Sequence, residues 1–568
     1  MLHEIPFRQK LTVMIAVMCG LLLAALDQTI IATALGRIVE DFNSFDSLSW
    51  VVTAYLITTT ITVPIAGKLS DIFGRRNMLM VGVALFTLAS LLSGSAQNIG
   101  ELIGARAFQG IGGGILMTSA FTIIGDLFTP RERGKWQGVI GGVFGLSSVI
   151  GPLLGGYLTD PHNILGLVTN WRWTFWINVP VGILAFIVIT IYTPNFKHAL
   201  KNRIDFLGAG LLAAALAAVI FACEDPTSIF AHVINDWHIS GSWVRAIFGA
   251  AAAILAGLFV LVERKAESPI VPLHMFKWPV FRVVMPIMLL FGAAFLGAIL
   301  YLTQFLQQVL DASPTTSGLM LMPLIFSLAI TSIVVGRVVS KIGRYKVIMF
   351  IGLLVATTGV LSLAALTVHS TFWDVAWRMI ITGAGLGASM PIFNLIVQNE
   401  APHKELGVAT SSVQLSRSLG STVGTALFGG LLTAGVTFGL GTIAQDPFVA
   451  TLKQSPAAAQ VLGTGGTVDA NAALTLNTPE VKDKIRSGIR TGIEQTQLPA
   501  PVKQKLIDQK LGEQSKFSDR VKDAFASSLH TVFLWAGGTM VLAIILSIFV
   551  KEIPLRDSSD QLAGKAEI

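Results

Sequence analysis

Apolar residues in this chain are gathered into long runs separated by short polar or charged segments. The runs cover 11–34, 50–66, 78–95, 102–124, 136–158, 175–192, 204–221, 243–262, 283–306, 318–335, 347–366, 375–397, 407–432 and 532–550. A hydrocarbon core of about 30 Å is crossed by roughly 20 apolar residues in a helix, so the pattern predicts an all-α integral membrane protein of about fourteen transmembrane helices. The first run follows Arg8 and Lys10 directly; it is too long for a signal-peptide core and no small-residue cleavage site closes it, so it is expected to be retained. Composition agrees with this reading. Of 568 residues, 53% are hydrophobic and 13% charged, with a mean hydropathy of +0.69; soluble domains are roughly one-quarter charged.

The charges sort by side. With the amino terminus in the cytoplasm, Lys68, Arg75, Arg76, Arg131, Arg133, Lys135, Lys197, Lys201, Arg203, Arg264, Lys265, Lys277, Arg282, Lys341, Arg344 and Lys346 fall in cytoplasmic loops. The opposite loops hold mostly acids, Glu40, Asp41, Asp46, Asp160, Glu224, Asp225, Asp236 and Asp311. This is the positive-inside pattern; it predicts a multi-pass protein of the cell (inner) membrane with both termini cytoplasmic. The net charge of +7 is accounted for as a topology signal, and no nucleic-acid partner is expected. Cys19 and Cys223 lie far apart at membrane depth or its edge, which predicts neither a disulfide nor a metal site.

Two stretches repeat. Gly67-Lys-Leu-Ser-Asp71-Ile-Phe-Gly74-Arg75-Arg76 follows the second run and Gly336-Arg-Val-Val-Ser340-Lys-Ile-Gly343-Arg344-Tyr345 follows the tenth, matching Gly67 to Gly336, Gly74 to Gly343 and Arg75 to Arg344. Arg106 corresponds roughly to Arg378, each followed by Gly-rich sequence. A duplicated six-helix unit follows, with two helices left over between the halves. The expected division is 1–195 for the first bundle, 196–270 for the two additional helices and 271–440 for five helices of the second bundle. After these come 441–528 as an extracytoplasmic segment with short helices at 479–494 and 501–511, 529–552 as the last helix and 553–568 as a cytoplasmic tail. Parallel halves suit a transporter that rocks one bundle against the other around a central site.

Five motifs carry a closer likeness: Leu26-Asp27-Gln-Thr29-Ile, the loop from Gly67 to Arg76, Arg106-Ala-Phe-Gln109-Gly110, Gly151-Pro152-Leu-Leu-Gly155-Gly156, and Trp171-Arg172-Trp-Thr-Phe-Trp-Ile-Asn178-Val-Pro180. In this order they resemble the major facilitator superfamily, specifically its fourteen-helix drug:proton antiporter family, over nearly the whole chain. Gln414-Leu-Ser-Arg417-Ser-Leu-Gly420 is similar to the family's pattern as well. The resemblance implies two six-helix bundles plus two extra central helices, outward transport from the Gly-Pro motif, and a part for Arg106 in proton movement. The long polar stretch 441–528 departs from many members of the family.

Asp27 is the acid placed well inside a hydrophobic span, where an ionised side chain costs roughly 2.5–3.5 kcal/mol and marks an ion or substrate pathway. Gly20, Ala24, Asp27 and Ile31 share a helical face suited to packing. As a proton-coupling and substrate-binding acid it can take a proton on one side and release it on the other; the bland alternative is a structural acid paired with a residue such as Arg37. Arg378 and Arg417 either tie helices together or share in function. Gly67, Asp71, Gly74, Arg75 and Arg76 read as a conformational latch, with Asp71 at the positive end of a neighbouring helix. Ser340 replaces the acid in the second copy, so the latch is asymmetric. Gly145, Gly151, Pro152, Gly155 and Gly156 form a bent, small-residue face, either a pivot or ordinary tight packing. Tyr55, Tyr301, Gln304, Asn394, Gln398, Ser412 and Gln414 are the polar candidates for lining a mostly apolar substrate cleft.

The chain contains no Gly-x4-Gly-Lys-Ser/Thr phosphate loop, so transport is expected to run on a gradient, with protons as the ion. The expected activity is non-enzymatic, without cofactor: export of amphipathic, cationic or lipophilic drugs against protons. Membrane lipids and small amphipathic substrates are the expected partners, a monomer suffices, and 441–528 is a candidate contact for an envelope partner. Export of an endogenous lipid, siderophore or antibiotic is the alternative within transport; a non-transporting scaffold or lipid-remodelling protein is the alternative outside it. The topology has a direct check. In a chain lacking Cys19 and Cys223, a cysteine at Thr491 should react with a membrane-impermeant thiol reagent in intact cells or accessible spheroplasts; reaction only after the cytoplasm is opened would reverse the assignment.

Overall fold

The structure, a computed structural model, describes residues 6–42, 48–159, 162–164, 166–193, 205–223, 240–312, 314–402, 405–440, 448, 476–477 and 479–555. Among them fourteen helices are long and apolar enough to cross a membrane. In chain order these are helix 1 Phe7–Phe42, helix 2 Leu48–Phe73, helix 3 Arg75–Ser95, helix 4 Ile99–Leu127, helix 5 Pro130–Thr159, helix 6 Asn178–Tyr192 and helix 7 Phe206–Cys223. They continue with helix 8 Gly241–Glu263, helix 9 Pro279–Gln308, helix 10 Met322–Ile342, helix 11 Lys346–Leu363, helix 12 Phe372–Glu400, helix 13 Leu406–Leu440 and helix 14 Ala500–Ile548. The loop acids Asp46, Asp160, Glu224, Asp225 and Asp236, the loop bases Lys197, Lys201 and Arg203, and the tail 556–568 lie outside the described residues.

Local chemistry sets several boundaries. Helix 4 starts where the Asn98 side chain accepts the Glu101 backbone N–H at 2.9 Å, and helix 12 starts at a reciprocal Thr371–Asp374 capping box. The repeated loop has glycine twice for one reason: Gly74 and Gly343 sit at φ of 88° and 73°, which turns the chain sharply after helices 2 and 10.

The helix pairings repeat as well. Helix 1 packs on 5 and 6, helix 2 on 4, and helix 3 on 4 and 6; helix 9 packs on 13 and 14, helix 10 on 12, and helix 11 on 12 and 14. Adding eight to each number of the first set yields the second. Each half therefore closes around its own apolar core, one built on Met14, Phe86, Phe121 and Ile140, the other on Phe281, Phe291, Leu353 and Phe393. The halves meet along helices 5 with 10 and 2 with 13, while helices 7 and 8 pair with each other and helix 7 rests on 2 and 13. This is the major facilitator fold.

At the seam of helices 5 and 10, glycines allow backbone contact. A Cβ at Gly138 would lie 2.5 Å from the Ser332 carbonyl oxygen, and one at Gly134 would lie 2.9 Å from that of Gly336. Gly145 continues this face against Ala329, whereas Gly151 turns to Thr29 of helix 1 in its own half. The Gly-Pro motif thus has one glycine on each side of the dividing line. Gly155 is buried and Gly156 half-buried further along the helix; the Pro152 side chain lies outside what is described.

A helix was expected at 479–494 and another, short one at 501–511. The first forms as Pro479–Glu494, but the second continues without a break through the last span, because no proline interrupts the chain between Val502 and Ile548. Helix 14 is 49 residues, ~73 Å at 1.5 Å per residue, so its polar first half extends well beyond a hydrocarbon core. The Asn477 amide donates to the Gln308 carbonyl at 3.0 Å, and Lys482 and Lys522 both reach the Asp311 carboxylate after helix 9. Burial acts to raise the Asp311 carboxyl, but the two ammonium groups outweigh it and hold the group below the usual carboxylate range.

The glycine seam has a measurable consequence. Gly138→Val overpacks helices 5 and 10, at a cost of about 1–3 kcal/mol or roughly 5- to 150-fold in conformer ratio. Spin labels at the exposed Lys135 and Lys341 should report a longer separation than in the parent protein; an unchanged distance distribution would show that the seam tolerates the added methyls.

Candidate functional site

Helix 1 presents two different surfaces within one turn. Ala25, Gln28 and Thr29 face a central cavity, whereas Asp27 turns into its own half, where it is 2% exposed. Its carboxylate accepts from Arg106 Nη1 at 2.5 Å, Gln109 Nε2 at 2.8 Å and, weakly, Asn178 Nδ2 at 3.4 Å. Arg106, 1% exposed, also donates from Nη1 to Gln109 Oε1 at 2.8 Å and from Nε to the Val51 carbonyl at 3.2 Å. Its guanidinium lies 4.3 Å from the Tyr55 ring centroid. Ser90 Oγ accepts from both Gln109 and Asn178, at 2.8 and 2.9 Å. The partner of Asp27 is therefore Arg106 rather than Arg37. Gln109 and Asn178 stand inside the sequence motifs yet were not singled out as site residues; Ser90 has no sequence signal.

The cavity is about 540 Å³ and lies between the halves. Its wall is largely apolar, with Met117, Phe144, Phe295, Leu296, Leu328 and Met390 prominent, and small hydroxyls fill the gaps. Most of these hydroxyls are committed. Thr29 donates to Leu26 and Ser147 carbonyls, Ser148 to Phe144, Ser421 to Gly292 and Thr425 to Ser421, and Thr60 bonds Ser418 across the halves at 3.0 Å.

One end of the central space is sealed. Asp71 pairs with Arg75 at 2.5 Å and accepts the backbone N–H groups of Gly407 and Val408 at 3.3 and 3.2 Å, so the acid sits on the unsatisfied first turn of helix 13 in the other half. Arg75 is shared with Asp126 at 2.7 Å and Ser70 at 2.9 Å. Gly67 lies against Ser411 and Gly407, Gly74 supplies the turn, and Arg76 donates to the Thr190 carbonyl. The second copy works with opposite polarity: at the end of helix 10, Arg131 donates to the Ser340 and Lys341 carbonyls at 2.9 and 2.8 Å. Where the first copy lays an acid on a helix start of the other half, the second copy offers its helix end to a base of the first half, Arg131.

The polar residues expected in the cleft fall elsewhere. Gln398 belongs to the seal, donating to the Phe121 carbonyl and Thr410 and accepting from Gln137 at 2.9 Å. Gln414 donates to Asn394 at 3.4 Å and holds Arg417; Ser412 bonds its own helix at Val408. Tyr301 donates to the Thr425 carbonyl at 2.7 Å behind the cavity wall, Tyr55 stacks on Arg106, and Gln304 is half-buried. None of these, nor Asp27, lines the cavity; Arg417 does. Arg378 stays at the start of helix 12, donating to the Asp374 carbonyl at 2.6 Å, with its guanidinium 4.4 Å from the Trp377 ring centroid.

Two pseudo-repeated bundles, a cavity between them and a polar seal at one end are the arrangement of the major facilitator fold. The chain belongs to the Major Facilitator Superfamily, whose family description matches residues 17–425. It is 34% identical over 542 residues to the multidrug transporter protein MdtP of Bacillus subtilis, covering 94% of this chain and 93% of that one. It is 32% identical to multidrug resistance protein 3 of the same organism, covering 96% of each. Among solved structures, the proton:xylose symporter XylE has the same fold, with a TM-score of 0.59 at 15% identity over 97% of this chain and 98% of that one.

The seal generates its own test. Asp71→Asn replaces charged acceptance of two N–H groups by neutral acceptance, a loss of roughly 1–2 kcal/mol or about 5- to 30-fold in the closed-to-open ratio at this end. Spin-label distances between the ends of helices 2 and 13 should broaden toward longer values and turnover should slow. Unchanged populations together with normal transport would make Asp71 a bystander.

Proposed function

We propose that this protein is a proton-coupled antiporter that exports amphipathic small molecules across the cell membrane by alternating access. The observation that carries the reading is the buried Asp27–Arg106 pair, one residue from side chains that face the cavity. The relatives named as multidrug transporters support the substrate class, and the mostly apolar cavity is of a size that holds a drug-sized ligand.

In this proposal the sealed end, where Lys10 lies over the Phe128 ring and Leu555 donates to the Gly343 carbonyl, is cytoplasmic, and the state described faces outward. A proton arriving at Asp27 removes the negative charge that holds Arg106. Gln109 and Asn178 can still bond a neutral acid, but the guanidinium must then find other acceptors. Because helices 1, 4 and 6 all contribute to the cluster, that rearrangement changes how helix 1 sits against helix 5, and so reaches the seams between the halves. Opening the seal costs the Asp71 contacts to helix 13 and the Arg131 contacts to helix 10. With the seal open the proton leaves inward and substrate enters the cavity; closing it again with substrate bound turns the cavity outward, where the substrate leaves and the exchange is complete. One proton moving down 100 mV supplies about 2.3 kcal/mol, a concentration ratio of roughly fifty.

Dye efflux in a host lacking its own pumps, with and without an uncoupler, tests this reading, as does proton release when substrate is added to the purified protein. Asp27→Asn should express and fold but lose the gradient-driven component, so uncoupler-sensitive efflux should fall by roughly tenfold or more as one proton's ~2.3 kcal/mol is lost. Uncoupler-sensitive efflux at parent rates from that variant would move the proton site elsewhere.

A further inference from the structure

Among the described residues the cavity wall carries one formal charge: Arg417, on helix 13, is the charged side chain that lines it, and none of the described carboxylates does. Its Nε and Nη2 both donate to a single neutral acceptor, Gln414 Oε1, at 3.2 and 3.0 Å. Its remaining N–H groups have no protein partner among the described residues. Asp27, the nearest acid in sequence to the cavity-facing part of helix 1, is turned away and saturated by Arg106, Gln109 and Asn178. Leu296, in the corresponding place on helix 9, lines the cavity as a hydrocarbon.

The hydroxyls nearby do not compete for the same ligand group. Ser421, Thr422 and Thr425 follow Arg417 along the cavity face of helix 13, and each donates its proton to a backbone carbonyl. They leave oxygens, which accept, toward the cavity; the surplus donors come from the guanidinium. A cationic ligand would enter a low-dielectric space holding a fixed positive charge and, among the described residues, no acid. A ligand with a carboxylate would meet a planar fork with free N–H groups beside a wall of Phe, Leu and Met.

We propose that the central cavity is a site for amphipathic organic acids, with the ligand's carboxylate bonded to Arg417 and its apolar body against Phe144, Phe295, Leu296 and Met390. This deepens the export reading and rests on it for the direction of transport, but the binding step stands by itself. Gln414 acts as the positioning residue, holding one side of the guanidinium so that the other side faces the cavity.

The test is direct binding to the full-length protein in nanodiscs of three probes with one hydrophobe: 1-pyrenebutyrate, its neutral N-methylamide, and 1-pyrenebutylamine. The parent protein should bind the acid roughly tenfold or more tightly than the amide, and the amine most weakly. Arg417→Gln should bring the acid-to-amide ratio to about one, and Arg417→Lys should keep part of the preference. Thr422→Asp, which places a carboxylate in the cavity wall without touching Arg417, should reverse the order of acid and amine. Equal affinities for acid and amide in the parent protein overturn the proposal whether or not any variant folds, as does an acid preference that survives in Arg417→Gln. The export reading fails separately: an Arg417-dependent acid preference without uncoupler-sensitive efflux refutes export alone, and uncoupler-sensitive efflux without acid preference refutes the acid site alone.

Discussion

Midway through a bilayer no water is available to solvate a charge, so an ionised side chain there must find its partners within the protein. The first half of this transporter meets that demand with a closed shell. Asp27, Arg106, Gln109, Asn178 and Ser90 come from helices 1, 4, 6 and 3, and each spends its polar groups on the others. The shell fixes how four helices sit together. Asp71, Arg75 and Asp126 form a second shell at the sealed end, with one difference: two of its donors belong to the other half. The first shell therefore specifies a bundle and the second specifies a state. Arg417 is the place where the demand is met only in part by protein, which is why it bears on what the cavity holds.

The helices and their duplication were legible because a bilayer tolerates few alternatives to long apolar runs, and because the turn glycines Gly74 and Gly343 need a backbone conformation that other residues rarely adopt. Asp27 was legible for a related reason, since its burial cost singles it out. The contact made by Asp71 was readable in outline: an acid before a glycine turn, with helix starts nearby to receive it. Its actual receiver, the first turn of helix 13, depends on how the halves close, and no local pattern encodes that. The continuous helix 14 escaped notice because a change from polar to apolar composition looks like a boundary even where the backbone has no reason to stop.

The cavity was the least legible part. Polar residues on the inner helices were the natural candidates, yet Gln398, Asn394 and Gln414 bond to protein, and the wall is built from hydrocarbon and small hydroxyls. Asp27 and Gln28 show the difficulty. They are neighbours, but 100° of helical rotation sends one into the bundle and the other to the cavity. Rotation about the helix axis is set by packing on partners distant in sequence. The glycine face at Gly134, Gly138, Gly141 and Gly145 was read only at Gly145: the other three stand before the Gly-Pro motif, and the face expected from Gly145 through Gly156 divides, with Gly151 turned to helix 1.

The unbroken helix 14 also makes the protein a mechanical amplifier. A rigid rod rooted among helices 9, 11 and 13 carries any tilt of the second half to its far end. About 29 residues beyond the hydrocarbon form an arm of ~43 Å, so a tilt of about 10° swings its tip by about 7 Å. Lys482 and Lys522, gripping Asp311, brace that arm against the end of helix 9 so that the two swing as one piece. A movement hidden inside the membrane is thereby displayed in water, where an antibody or a fluorophore on the arm could follow individual transport cycles without entering the cavity.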